Sequence, residues 1–230
     1  MWLNDEKITD AAISHYRKSL INTCPHHVVI DNLFNQTKLD RVTKILQSDQ
    51  HWKTQRHTYS ALYVDDTQWQ KTCNEQRFVQ RDAWQSEPHN VNIADDFLSF
   101  LRADVFMSLL SRIFNVALTD INVEDPDVNT NYFRLGVSDF VEQHADDSPG
   151  REVCMLLYLN KDWEESSGGE LVFNGQHNQP VSIAPLYNRC VLFDPFANGS
   201  EHWVKKLNAE HATSKHTHYR YNITSWYWSE

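Results

Sequence analysis

The spacing of apolar positions changes along this chain. From Asp5 to Ile21 they fall at Ile8, Ala12, Ile13, Tyr16 and Leu20, close to the repeat of a helix with one dry face. His27 to Asp31 reads as a strand. Asn35 to Leu46 reads as a helix, with Asn35 as its cap and Leu39, Val42, Ile45 and Leu46 on one side. The longest helical pattern runs from Asp95 to Phe114, where Phe97, Leu98, Leu101, Val105, Phe106, Leu109, Leu110 and Ile113 predict a broad face buried in the core. Further on the period shortens to two. Arg189 to Phe193 has the composition of a buried strand, and Tyr219 to Trp228 alternates so that Arg220, Asn222 and Thr224 share a face. His51 to Asn92 is largely polar, with one strand expected at Tyr59 to Val64. Its scattered Trp52, Trp69, Phe78 and Trp84 fit either packed loop aromatics, the simpler reading, or a lid over a substrate.

Chemistry enters at His144, Asp146 and His202. An extended backbone throws positions i and i+2 to one side, so His144 and Asp146 can face the same ion, and a neighbouring strand can deliver His202. Two histidines and one carboxylate on one face of a metal leave three coordination positions open, the arrangement that non-haem Fe(II) oxygenases use. Arg220 is then suited to grip the far carboxylate of a chelating dicarboxylate, with the hydroxyls of Tyr158 and Thr224 completing the shell. A bare His-x-Asp is weak evidence in a chain with 12 histidines; the ordered series His-x-Asp, strand, glycine pair, strand, His and Arg carries the weight.

The segments from Tyr158 to Trp163, Ser167 to Leu171 and Arg220 to Tyr227 are similar to stretches of the prolyl-hydroxylase branch of the 2-oxoglutarate and Fe(II)-dependent dioxygenases. They resemble the hypoxia-inducible-factor prolyl hydroxylases and, more loosely, the ribosomal-protein prolyl hydroxylases. The resemblance covers about the last hundred residues. It implies His144, Asp146 and His202 as iron ligands, Arg220 as partner of the 2-oxoglutarate 5-carboxylate, and Tyr158 and Thr224 as hydrogen-bonding groups nearby. It also implies Leu171 as an apolar wall and Trp226 on the substrate side. Two departures stand out. The gap from His202 to Arg220 is longer than usual, adding a loop over 207–218 whose lengthening costs little closure entropy. Arg134 stands ten residues before the first ligand, where the hypoxia enzymes carry a tyrosine, and is placed on the substrate side too.

The implied architecture is mainly β with flanking α-helices: a double-stranded β-helix, the jelly-roll of the cupin type, with N-terminal helices packed on one face. One domain over residues 1–230 is expected, with 1–127 as helical support and outer strands and 128–230 as the catalytic core. The implied reaction is hydroxylation of a C–H bond, with Fe(II), 2-oxoglutarate and O2, ascorbate as reductant, and succinate and CO2 as products. A prolyl residue in a protein or peptide is the leading substrate. A free amino acid, a non-prolyl side chain, or a catalytically silent metal-binding domain are the alternatives.

The net charge of −10, with no cluster of Lys or Arg, argues against a nucleic-acid partner. Cys24, Cys73, Cys154 and Cys190 lack ligand spacing and are expected to be free thiols. There is no basic, apolar leader and no membrane-length run, so a soluble, cytoplasmic protein is expected. His26 and His27, and the group His211, His216 and His218, read as surface histidines rather than a second metal site.

Overall fold

The computed structural model describes residues 1–48, 50–87, 89, 91–119, 129–177, 179–209 and 219–229. Among these residues the five α-helices are α1 (Asp10–Asn22), α2 (Gln36–Leu46), α3 (Asp66–Lys71), α4 (Ile93–Leu101) and α5 (Asp104–Phe114). Eleven strands follow the same chain order: β1 (His27–Asp31), β2 (Trp52–Thr58), β3 (Arg77–Trp84), β4 (Thr130–Leu135), β5 (Phe140–Val141), β6 (Arg151–Tyr158), β7 (Leu171–Gln176), β8 (Gln179–Ile183), β9 (Arg189–Phe193), β10 (His202–Val204) and β11 (Arg220–Trp228). The large sheet has the order β1-β9-β6-β11-β4-β3-β2, with β5 also paired to β3, and a small sheet has the order β10-β7-β8. All of these pairings are antiparallel.

The pleat divides the large sheet into two faces with different work. Val153, Met155 and Leu157 of β6, Cys190 and Leu192 of β9, and Tyr221, Ile223 and Tyr227 of β11 point to the helices and join one core with Ile13, Leu39, Phe97, Phe106 and Leu110. The intervening residues Cys154, Leu156, Tyr158, Val191 and Phe193 point the other way and meet Leu171, Phe173 and Ile183 of the small sheet. Two sheets closed over a shared interior, with the helices on one outer face, make the expected double-stranded β-helix. The interior between the sheets is where Arg220, Asn222 and Thr224 lie.

Local signals explain the elements that were legible. Asn35 caps α2 by accepting from Lys38 N, and Thr9 caps α1 by accepting from Ala12 N, so the first α-helix starts at Asp10, after a single 3-10 turn at Asp5–Lys7. The expected single helix from Asp95 to Phe114 is two. Asn92 and Asp95 form a capping box at the start of α4, the chain turns extended at Ala103, and α5 begins there. The break shifts the helical phase, which leaves Val105 64% exposed instead of in the core. The strand expected at Tyr59 to Val64 is a turn with a single bridge between Thr58 and Ala61. The strands of this region are β2 and β3, which flank it as a hairpin whose insertion carries α3.

His27 is not a surface residue: it opens β1, is 8% exposed, and packs on Phe173 with ring centroids 5.4 Å apart. His26 is exposed as expected, whereas positions 211, 216 and 218 lie outside the described residues. All four cysteines are free. No helix among the described residues is long and apolar enough to cross a membrane.

Candidate active site

His144 and His202 are brought together by the backbone itself. Each donates its N–H to the other's carbonyl, at 3.0 and 2.9 Å, so the end of β10 is tied to the chain just beyond β5. Their rings lie 4.4 Å apart, centroid to centroid. Asp146 closes the triangle, with Oδ1 at 4.0 Å from His144 Nε2 and Oδ2 at 3.8 Å from His202 Nε2. One ligand atom from each residue lies within 4.8 Å of the others, a spacing that a single ion can bridge.

The other nitrogen of each ring fixes its tautomer. His144 Nδ1 is 2.9 Å from Glu142 O, and His202 Nδ1 is 3.0 Å from Ser200 O. A carbonyl only accepts, so both Nδ1 atoms carry the proton and both Nε2 lone pairs are free for a metal. Burial, reinforced by the charge of His144, pulls His202 down to about 4, and Asp146 offsets this only in part. Burial pushes the Asp146 carboxyl up. The charges of His144, His202 and Arg151, with a hydrogen bond from Trp226, outweigh that effect and hold it below the usual carboxylate range. The donor set therefore includes a neutral imidazole at His202 and an ionised carboxylate at Asp146 near neutral pH, which suits a divalent first-row metal.

Deeper between the sheets, Arg220 is 3% exposed and held on two sides. Its Nε donates to Gly169 O at 2.6 Å, and its Nη1 donates to Asn222 Oδ1 at 2.7 Å. Asn222 Nδ2 in turn donates to Thr224 Oγ1 at 3.0 Å. Among the described residues, Arg220 Nη2 and the hydroxyl of Tyr158 are both buried without a hydrogen-bond partner. Burial pushes the Tyr158 hydroxyl up to about 12, so it remains a donor. Two unsatisfied donors, one of them charged, in a buried pocket are what a carboxylate would satisfy. Gly169 permits the close approach. It adopts φ +85°, and a Cβ there would stand 3.0 Å from Arg220 Cδ and from Leu207 Cδ2. Leu171 is fully buried in the same inter-sheet core as Tyr158.

Residues 130–228, which contain all these groups, match the family model of the 2OG-Fe(II) oxygenase superfamily. This stretch is similar to a 2OG-Fe(II) oxygenase domain. The chain is 25% identical over 143 residues to prolyl 3-hydroxylase OGFOD1 of Mus musculus, covering 60% of this chain and 24% of that protein. It is 33% identical over 95 residues to the Xenopus laevis counterpart, covering 39% and 17%. The chain thus spans about a quarter or less of the length of these relatives. The oxygenase fold extends upstream of the matched segment. A Pseudomonas putida prolyl-4-hydroxylase superposes with a TM-score of 0.62 at 16% identity, covering 95% of this chain and 99% of that one. A Trichoplax adhaerens prolyl hydroxylase, solved with a hypoxia-inducible-factor peptide, gives 0.64 at 21% identity, covering 98% and 96%.

One placement within this stretch differs from expectation. Arg134 is not on the substrate side. It pairs in register with Tyr221, on the helix-facing side of the sheet, where its Nε donates to Asp82 at 3.0 Å and its guanidinium stacks between Trp52 and Tyr219. Counting ten residues back from His144 ignores the pleat, and Leu135 is the neighbour that faces inward opposite Arg220. Trp226 lines the cavity above the metal triad, and its Nε1 also donates to Asp146 Oδ2 at 3.0 Å. Sequence reasoning did not reach Arg151, whose Nη1 donates to the Asp146 backbone oxygen at 2.8 Å, nor His57 and Arg81, which line the cavity from β2 and β3.

Proposed function

We propose that this protein is an Fe(II)- and 2-oxoglutarate-dependent dioxygenase that hydroxylates a prolyl residue of a protein or peptide, with ascorbate as reductant. The observation that carries the co-substrate reading is the pair of unsatisfied buried donors, Arg220 Nη2 and Tyr158 Oη, on the inner face of the oxygenase domain. His144, Asp146 and His202 would hold the metal. When bound, iron and 2-oxoglutarate together supply oxidative decarboxylation to succinate and CO2, coupled to insertion of oxygen into a C–H bond.

The chain's own residues orient and enclose. The Glu142 and Ser200 carbonyls hold both imidazoles with Nε2 turned to the ion. Arg151 and Trp226 hold the Asp146 carboxylate in place. Arg220, fixed by Gly169 and Asn222, presents its remaining amino group to the 5-carboxylate, with Tyr158 as a second donor. Phe173 and Phe193 flank His202 and keep water from that side. The prolyl substrate is supported by the curated relatives, which are named prolyl 3-hydroxylases.

The test is succinate formation from 2-oxoglutarate under air with Fe(II) and ascorbate, comparing the wild type with H144A and R220A, with and without proline-containing peptides. Turnover lost in both variants and stimulated by a peptide is the expected result. A wild type that binds iron yet turns over no 2-oxoglutarate with any peptide would overturn the reading and leave a metal-binding domain.

A further inference from the structure

The cavity above the metal triad has a volume of about 560 Å3 and is lined by His57, Tyr59, Tyr63, Arg81, Arg151 and Trp226 as well as by His144 and Asp146. Its outer rim is apolar and open: Tyr59, Leu62 and Tyr63, in the turn after β2, are 55%, 61% and 53% exposed. Its inner wall holds a cation. The Arg81 guanidinium lies 3.5 Å from the centroid of the Phe133 ring, and its one hydrogen bond among the described residues is from Nε to the neutral Gln55 Oε1, at 3.0 Å.

No described carboxylate lies within 4 Å of Arg81, which sets it apart from its neighbours. Arg134 pairs with Asp82, Arg151 with Asp146, Arg56 with Asp66 and Arg189 with Asp31. Arg220 is the other arginine of this interior without an acid, and its remaining donor is reserved for the co-substrate in the reading above. Burial pulls Arg81 down to about 10, so it is still a cation at neutral pH. Asp146 favours the charged form of Arg81 only through space, and a cation partly stripped of water without an anion in contact is costly unless an incoming group neutralises it. His57 does not compete for that group: burial and the charges of Arg81 and His144 pull it down to about 3, and its Nδ1 accepts from Tyr63 N.

We propose that Arg81 is a specificity-determining residue that binds a carboxylate of the substrate, so that the preferred peptide carries an acidic group beside the residue to be hydroxylated. The geometry supports this without any charge on the protein surface, which is acidic overall at −10. Attraction by the surface at large would favour a basic peptide, whereas Arg81 selects an acid at one position. Both free amino groups of the guanidinium are available for a two-pronged contact, and the Tyr59, Leu62 and Tyr63 rim offers apolar contact to the flanking residues. The carboxylate can come from an Asp or Glu side chain or from a chain terminus, and the experiment separates these sources.

The proposal rests on the dioxygenase reading, and its test is arranged so that the two can fail separately. Three end-defined peptides with a central proline are compared: one with a neighbouring Glu and blocked ends, the same with Gln, and the Gln peptide cut to end in a free carboxylate beside the proline. Hydroxylation is followed by mass spectrometry, and direct binding by the tryptophan fluorescence of the metal-free protein. The wild type is expected to favour an acidic peptide by roughly 10- to 100-fold over the neutral one, the range of a charge-assisted contact. R81Q is expected to abolish that preference, and R81K, which keeps a point charge, to retain part of it, with melting curves confirming that both fold. A preference for the Glu peptide assigns the group to a side chain, and one for the cut peptide to a terminus. Equal use of all peptides by the wild type, or a preference that survives in folded R81Q, would overturn the proposal. So would a raised KM for 2-oxoglutarate in R81Q with the peptide preference intact, since that would assign Arg81 to the co-substrate. If the wild type shows no turnover, the fluorescence titration still decides the role of Arg81.

Discussion

Trp226 Nε1 donates to Asp146 Oδ2 at 3.0 Å, and the Cys154 thiol lies 3.7 Å from the same oxygen. The carboxylate that completes the triad is therefore held by an indole carried on the strand that also bears Arg220. Groups that orient metal ligands govern affinity nearly as much as the ligands do. W226F keeps an aromatic ring and removes the N–H, so the affinity for a redox-silent ion such as Mn(II) should fall about 10- to 100-fold. Isothermal titration calorimetry measures this directly. Unchanged affinity in a folded W226F would show that Arg151 and Cys154 suffice to position the carboxylate.

Asn222 sits between Arg220 and Thr224 and accepts from the arginine while donating to the threonine. Its removal leaves Arg220 Nη1 buried without an acceptor. N222A should therefore raise the KM for 2-oxoglutarate about tenfold, the cost of a lost hydrogen bond to a charged group, while Mn(II) affinity stays within twofold. A parallel loss of metal affinity would mean that the whole strand had moved and that Asn222 has no separate role.

What could be read from the chain was the part governed by local rules. The Asn35 cap, the strand from Arg189 to Phe193 and the alternation of Arg220, Asn222 and Thr224 each depend on near neighbours, and each stands as read. The triad was legible because two ligands share one tripeptide and the third follows a strand. Arg81 and His57 were hidden because β2 and β3 are polar hairpin strands whose pairing is settled by tertiary contact with β4 and β5. Arg134 was misplaced for a related reason: which face a strand residue takes depends on register, and one residue of slip reverses it. The division of α4 from α5 follows from a capping box at Asn92 and an extended Ala103, while hydrophobic period alone runs on through both.

Gly169 couples the glycine pair to the co-substrate pocket. Its carbonyl accepts from Arg220, its φ is +85°, and any Cβ would press on the arginine stem at 3.0 Å. G169A should lower stability by about 1–3 kcal/mol through the disfavoured backbone and weaken 2-oxoglutarate binding more than Mn(II) binding. Urea denaturation and the two binding titrations separate these effects. A variant of wild-type stability would show that the turn relaxes without strain.

His57 and His202, each 5% exposed, are pulled down to about 3 and about 4 in the folded protein, in both cases chiefly by burial. In the unfolded chain they take up protons near pH 6.5. Between pH 6.5 and 4 the unfolded state therefore binds more protons than the folded state, and the stability of the metal-free protein must fall as the pH falls through this window. Above pH 6.5 the contribution is complete. Each histidine adds a slope of about 1.4 kcal/mol per pH unit within the window. H57Q, which keeps a neutral polar side chain, should remove about half of the combined slope. Asp146, held below its usual range, contributes only below that window, where its protonation adds a further loss. Urea midpoints of metal-free protein at pH 7.5, 6.0 and 5.0 for the wild type and H57Q measure both slopes. A flat profile in the wild type would mean that both imidazoles take up protons in the folded state as readily as in water, and that neither is buried as the structure places it.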